Sequence, residues 1–172
     1  PAMTAGELST MVNKIIQYET TSGEAWRKQL VLAADNPDDG GNFFATSDQL
    51  GNSLPPDYVP GKVYLNGPVA AAKSNLIGRI HAGAGFVNFF GHGAVDRLAG
   101  EGLLTSADLP KLTNTNRLTV LTAMSCVIGQ FGIPGYDSLG EQLVLKDGGG
   151  AVAVWAPTGV SICTWPGASR PR

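Results

Sequence analysis

Short apolar runs that alternate with helical stripes constrain this chain more than any other feature. Residues 30–34, 62–65, 86–90, 118–124 and 151–155 each read as a brief buried strand. Between them, Val69, Ala72, Leu76, Ile77 and Ile80 recur at helical spacing up to Gly83. A weaker helix fits residues 43–50, and a short one begins near Thr105-Ser-Ala-Asp108. Ser138-Leu-Gly-Glu141 is a capping box that opens a helix through Leu145. Thr4-Ala-Gly-Glu7 is another, and Leu8, Met11, Val12, Ile15 and Ile16 share one face behind it, which predicts a helix laid on the sheet. Strands separated by helices pair in parallel through right-handed crossovers, so the expected fold is α/β, a three-layer α/β/α sandwich with a mainly parallel sheet. With 172 residues, 43% of them hydrophobic, the chain holds material for one such core.

Two of the runs end on reactive side chains. Phe86-Val-Asn-Phe-Phe-Gly leads into His92-Gly93, and Leu118-Thr-Val-Leu-Thr-Ala-Met leads into Ser125-Cys126. In an open parallel sheet the ligand crevice lies outside the carboxyl ends of the strands, so an imidazole closing one strand and a thiol closing a later one meet there as base and nucleophile. Each residue also has a structural reading, His92 as a histidine in a tight turn and Cys126 as an inert, small apolar group. The neighbours favour chemistry. Glycines flank His92 and let backbone approach a substrate, the Gly93 N–H suits an oxyanion, and residues 127–135 form a glycine-punctuated loop. His81, at a helix end beside Gly83, reads as structural.

Other chemistries fit poorly. The formal net charge is −2 and the Lys and Arg residues are scattered, so no nucleic-acid partner is expected. No apolar stretch reaches the roughly 20 residues that cross a bilayer, so no membrane span is expected either. The 23 glycines raise the possibility of a phosphate loop, yet Gly83, Gly85, Gly148, Gly149 and Gly150 precede strands, and no Gly-Lys-Ser/Thr occurs. Two histidines and two cysteines match no zinc spacing and no disulfide framework, and Cys163 lies in an irregular end. The acidic stretch 35–39 reads as a solvated turn before it reads as a Ca²⁺ site. No metal and no cofactor are expected.

In these segments the chain resembles the gingipain-type cysteine peptidases, within the caspase–legumain group marked by His-Gly after one strand and Ala/Ser-Cys after the next. The likeness runs through Met11-Val-Asn-Lys-Ile-Ile-Gln-Tyr-Glu19, Leu32-Ala-Ala-Asp-Asn-Pro-Asp-Asp-Gly40 and the His92 and Cys126 segments. It continues over Leu104-Thr-Ser-Ala-Asp108, Leu112-Thr-Asn114, Ser138-Leu-Gly-Glu141 and Gly149-Gly-Ala-Val-Ala-Val-Trp155-Ala-Pro157. The separation of 34 residues between His92 and Cys126 also suits the family. On this basis residues 1–161 form a partial gingipain-like peptidase domain of caspase-like fold, followed by an irregular tail over 162–172. The family's catalytic domain is longer at both ends, so an initial strand and a final helix are expected to be missing.

What the resemblance implies is proteolysis of protein or peptide substrates through an acyl-enzyme thioester. Cys126 is then the nucleophile and His92 the acid/base, with the N–H groups of Gly93 and Cys126 as the oxyanion hole. An acidic residue supports the histidine in gingipains; the nearest match here is Asp35, then Asp38 or Asp39, and Asp35 reads equally as a turn cap. Asn42, Phe43, Trp155 and Ala156 are the implied substrate-binding residues. The carboxylate that selects basic side chains in gingipains falls near Asn42 or Phe43, both uncharged, so strict Arg or Lys specificity is not expected. The resemblance also implies a secreted or cell-surface bacterial protein, with further segments of a larger parent chain as partners. The competing reading is a catalytically silent relative that binds proteins in export or sorting.

Overall fold

The computed structural model of the chain describes residues 2–160, apart from the Glu24 side chain. The tail over 162–172, with Cys163, lies outside the described residues. Helix α1 (Ala5–Thr20) starts at the predicted capping box, where the Thr4 hydroxyl accepts from the Glu7 N–H at 3.2 Å and the Glu7 carboxylate accepts from the Thr4 N–H at 2.9 Å. A 3₁₀ turn (Glu24–Lys28) leads to β1 (Gln29–Ala34), α2 (Phe43–Asn52), β2 (Val59–Tyr64), α3 (Val69–Ala82) and β3 (Phe86–Phe90). Three two-residue strands follow, β4 (Gly93–Ala94), β5 (Arg97–Leu98) and β6 (Leu104–Thr105), and then a second 3₁₀ turn (Ser106–Lys111). β7 (Thr119–Met124), α4 (Leu139–Leu145) and β8 (Ala151–Trp155) come next.

The five longer strands form one sheet in the order β2-β1-β3-β7-β8, with every neighbouring pair parallel. Alternate residues of a strand point to opposite faces, and the core divides accordingly. Val31, Ala33, Val87, Phe89, Leu121 and Ala123 join Leu76 and Ile80 of α3 and Leu139 and Leu143 of α4. Ala34 and Phe90, of the other parity, pack with Phe43 of α2. Helices therefore cover both faces, and the three-layer sandwich is the one expected from the sequence. The chain leaves β1 toward one edge, returns past it, and enters β3 on its other side. The carboxyl ends of β1 and β3 consequently flank the switch point at which an open α/β sheet forms its crevice.

One expectation needs correction. The apolar stripe of α1 does not lie on the sheet, because Leu8, Val12, Ile15 and Ile16 are all exposed. The inward side of α1 instead carries Met11 and the buried Lys14, whose ammonium donates to the carbonyls of Leu143, Val144 and Lys146 at 3.0, 3.0 and 3.1 Å. It thereby caps the carboxyl end of α4, a polar use of a buried position that hydrophobic periodicity does not register. Burial lowers the Lys14 ammonium to about 8. After His92, β4, β5 and β6 pair as a small antiparallel sheet.

Candidate active site

β3 and β7 are adjacent, with Phe90 opposite Met124. His92 and Cys126 each stand two residues beyond that pair, so two neighbouring strands release them at the same level of the sheet. Asp35 is the first residue after β1, on the other side of β3.

Asp35 is 2% exposed and fastens the backbone of the histidine: its Oδ2 accepts from the His92 N–H at 3.0 Å and its Oδ1 from the Asn36 N–H at 2.9 Å. The Asp35 N–H in turn donates to the Phe90 carbonyl at 2.9 Å, and the His92 carbonyl accepts from Ala99 at 2.9 Å. Gly91 allows this closeness, because a Cβ there, at φ +151°, would stand 2.2 Å from the Asp35 Cβ. Burial pushes the Asp35 carboxyl above its ordinary value, the two N–H donors pull against that, and the nearby Glu101 carboxylate adds to the rise. Turned so that its nitrogen faces both carboxylates, the Asn36 amide bridges Glu101 at 3.0 Å and Asp35 at 3.1 Å.

The imidazole itself meets a different carboxylate. His92 Nε2 lies 2.9 Å from Asp38 Oδ2, and Asp38 Oδ1 is held by the Gly40 N–H at 2.7 Å. An ionised carboxylate only accepts, so Nε2 carries the proton and Nδ1 is the lone-pair nitrogen of the neutral ring. Phe43 stands edge-on to the ring with centroids 5.4 Å apart, and a Cβ on Gly40 would come within 3.1 Å of it. The acidic turn thus supplies two separate services, a buried anchor for the histidine backbone from Asp35 and a half-exposed partner for its ring from Asp38. Asp39 is exposed.

Cys126 is half-buried at the start of a constrained loop. Val127 has φ +46°, a left-handed conformation that costs a β-branched residue about 1–3 kcal/mol. The loop is tied to the chain beyond β8: the Val127 N–H donates to the Gly159 carbonyl at 3.0 Å and the Gly129 N–H to that of Pro157 at 2.9 Å. Gly93 abuts this loop, since a Cβ there would fall 2.4 Å from Ser125 Oγ and 2.7 Å from Ile128 Cδ1. The glycines on either side of His92 therefore serve the approach of the protein's own elements, one toward Asp35 and the other toward the cysteine segment.

The four substrate-binding candidates are divided between two places. Asn42 caps α2, its side-chain oxygen accepting from the Ala45 N–H at 3.0 Å, and Phe43 is buried beside the histidine. Trp155 ends β8, opposite Thr122 of β7, with 73% of its surface exposed. Ala156 follows it and packs its carbonyl against Gly129 in the cysteine loop. Sequence reading passed over Gly40, Val127 and the Asn36–Glu101 contact. Gly40 carried a signal in its Asp-Gly-Gly setting, whereas nothing in a valine announces a left-handed backbone. Among the described residues no group of His, Cys, Asp and Glu is arranged to hold a metal ion.

The model of peptidase family C25 matches residues 1–169. A search of curated proteins finds no match. Among solved structures, the chain is similar to the complex of pro- and mature domains of RgpB from Porphyromonas gingivalis, with 24% identity over 92% of this chain and 40% of that one, at a TM-score of 0.78. It is likewise similar to the Arg specific cysteine proteinase gingipain R, with 25% identity over 89% of this chain and 37% of that one, at a TM-score of 0.75. A third structure, described as a protease, shares 22% identity over 93% of this chain and 36% of its own, at a TM-score of 0.78. The chain spans between 36% and 40% of the length of these structures.

Proposed function

The chain belongs to peptidase family C25, and on that premise we propose that it is a cysteine endopeptidase domain working through Cys126 and His92. The imidazole takes the thiol proton, the thiolate attacks the scissile carbonyl, and the oxyanion is met by the N–H groups of Gly93 and Cys126. The imidazolium then protonates the leaving amine, and water activated by the neutral ring hydrolyses the thioester. Asp38 supports the ring while it carries charge, and Asp35 acts as a positioning residue through the His92 backbone. The single observation that supports this reading best is the shared register, Phe90 opposite Met124, which brings two strand-end residues of complementary chemistry to one level. The resemblance to gingipains extends the proposal to a secreted or surface-attached setting, with protein substrates and further parts of a parent chain as partners.

A peptidyl chloromethyl ketone tests the reaction. Intact-mass and peptide mapping are expected to show one adduct, on Cys126, that is absent in Cys126→Ala and strongly reduced in His92→Ala. A folded protein that forms no such adduct would be the silent, protein-binding relative instead. Specificity is a separate proposal: Asn42 and Phe43 offer a committed amide and a ring where a fixed carboxylate would be needed for strict Arg or Lys selection. A positional peptide library showing more than about a hundredfold preference for Arg or Lys would overturn it.

A further inference from the structure

At the opposite end of β1 from Asp35, about 17 Å of strand away by the usual rise per residue, a cavity opens between the amino end of β1 and the last turn of α3. Its volume of about 570 Å³ is that of a small-molecule pocket. Trp26, Leu30, Arg79, Gly83 and Arg117 are among its walls. Among the described residues each arginine has one hydrogen bond, Arg79 Nε to Asn75 Oδ1 at 3.0 Å and Arg117 Nη1 to the Ala82 carbonyl at 2.7 Å. A guanidinium carries five donors, so most remain to be used. Among the described residues neither arginine is ion-paired with a carboxylate. The Arg117 contact also offsets the negative end of α3, which leaves the cavity facing positive charge.

The aromatic wall is fixed. The Arg27 guanidinium lies 4.8 Å from the Trp26 ring centroid, and Tyr18 meets the same indole edge-on at 5.9 Å. Backbone is pared away where these groups stand: a Cβ on Gly61 would come 2.1 Å from Arg79 Nη1, and one on Gly83, at φ +103°, 2.7 Å from the Trp26 Cβ and 2.9 Å from Arg117 Cδ. A guanidinium matches the planar fork of a carboxylate or the oxygens of a phosphate, and an indole in the same cavity offers a flat apolar surface.

We propose that this cavity is a second site, which binds a small organic anion: a carboxylate or phosphate on a flat apolar body, with Arg79 and Arg117 on the anionic group and Trp26 against the body. Nothing in the peptidase reading assigns it. Benzoate and phenyl phosphate are the probes, with benzamide as the uncharged control, titrated into the whole 172-residue chain while tryptophan emission and heat are recorded. Saturable binding of either anion is expected, with benzamide at least about tenfold weaker and the emission change lost in Trp26→Phe. The tighter of the two probes identifies the anionic group. Arg79→Gln and Arg117→Gln are each expected to raise the Kd about tenfold, with Arg117→Lys recovering part of the loss. Three results would each overturn the proposal: no saturable binding of either anion up to about 50 mM, equal binding of benzamide, or an unchanged Kd in both glutamine variants that remain folded by circular dichroism.

Discussion

Asp35 and Asp108 are buried to nearly the same degree, 2% and 3% exposed, and hold their protons in opposite ways. Asp35, at the switch point, meets two backbone N–H groups and the Asn36 amide and lies near another carboxylate, so burial prevails and its carboxyl is pushed up. Asp108, between α3 and the small antiparallel sheet, is also pushed up by burial. There, however, Lys73 at 2.7 Å, Lys111 at 2.9 Å and the Thr105 N–H and hydroxyl outweigh it and hold the carboxyl well below its usual range. At Asp108 two cations compensate the buried charge; at Asp35 no ammonium or guanidinium is paired with it among the described residues. A titratable group left without such a partner in a crevice is what a reactive centre uses.

The largest expected effect on stability is therefore at Asp108. Asp108→Ala removes the acceptor of two ammonium groups and of the Thr105 N–H and hydroxyl at the start of the second 3₁₀ turn. Breaking a buried pair costs about 3–5 kcal/mol, and Lys111 is largely solvated, so a loss of about 3 kcal/mol is expected. Thermal unfolding would show it as a fall in Tm of about 6–12 °C, with the proposed peptidase activity per folded molecule unchanged below the transition. A comparable fall in activity per folded molecule would erase the distinction between framework and site.

Asp35→Ala comes next, at about 1–2 kcal/mol, because two backbone donors lose their acceptor while an uncompensated carboxylate is also removed. Its activity is expected to drop more than its stability suggests, by about a hundredfold, since a displaced His92 backbone carries the ring with it. Turnover of a general peptide substrate, corrected for folded fraction, measures this.

The pH dependence sharpens the contrast. Between the ordinary aspartate value and its raised native value, native Asp35 keeps a proton that the unfolded chain has released. Its contribution therefore falls as pH rises through that window and is level above it. For Asp108 the native value lies below the unfolded one, so its stabilisation is complete above the ordinary value and is lost as pH falls. Urea unfolding of Asp35→Asn and Asp108→Asn against the parent, between about pH 3 and pH 7, should give differences of opposite slope, each at most about 1.4 kcal/mol per pH unit. Slopes of the same sign would break the comparison.

The sheet and the two reactive strand ends were legible because five apolar runs and two capping boxes leave signals that depend on local sequence alone. The face that α1 turns inward was not, since the use of Lys14 as a cap for α4 depends on a helix more than a hundred residues away. Strands β4 to β6 have two residues each, too few for alternation to appear. The division of labour between Asp35 and Asp38 was equally hidden. Both belong to one polar turn, and only the path of the backbone after β1 turns the former under the histidine and the latter toward its ring.

That division gives the smallest expected change in stability and the narrowest test. Asp38 and His92 both face solvent, so the pair adds little to folding, and Asp38→Asn is expected to alter stability by less than about 0.5 kcal/mol. An asparagine oxygen still accepts from Nε2–H and keeps the ring oriented, but it no longer attracts the imidazolium that forms when the thiol proton is taken. Activity should fall about tenfold in Asp38→Asn and further in Asp38→Ala, where orientation is lost as well, with Tm within about 2 °C of the parent in both. If the two variants lose activity equally, Asp38 contributes charge alone; if both unfold as readily as Asp35→Ala, the ring partner is part of the framework and the contrast between the two aspartates at His92 fails.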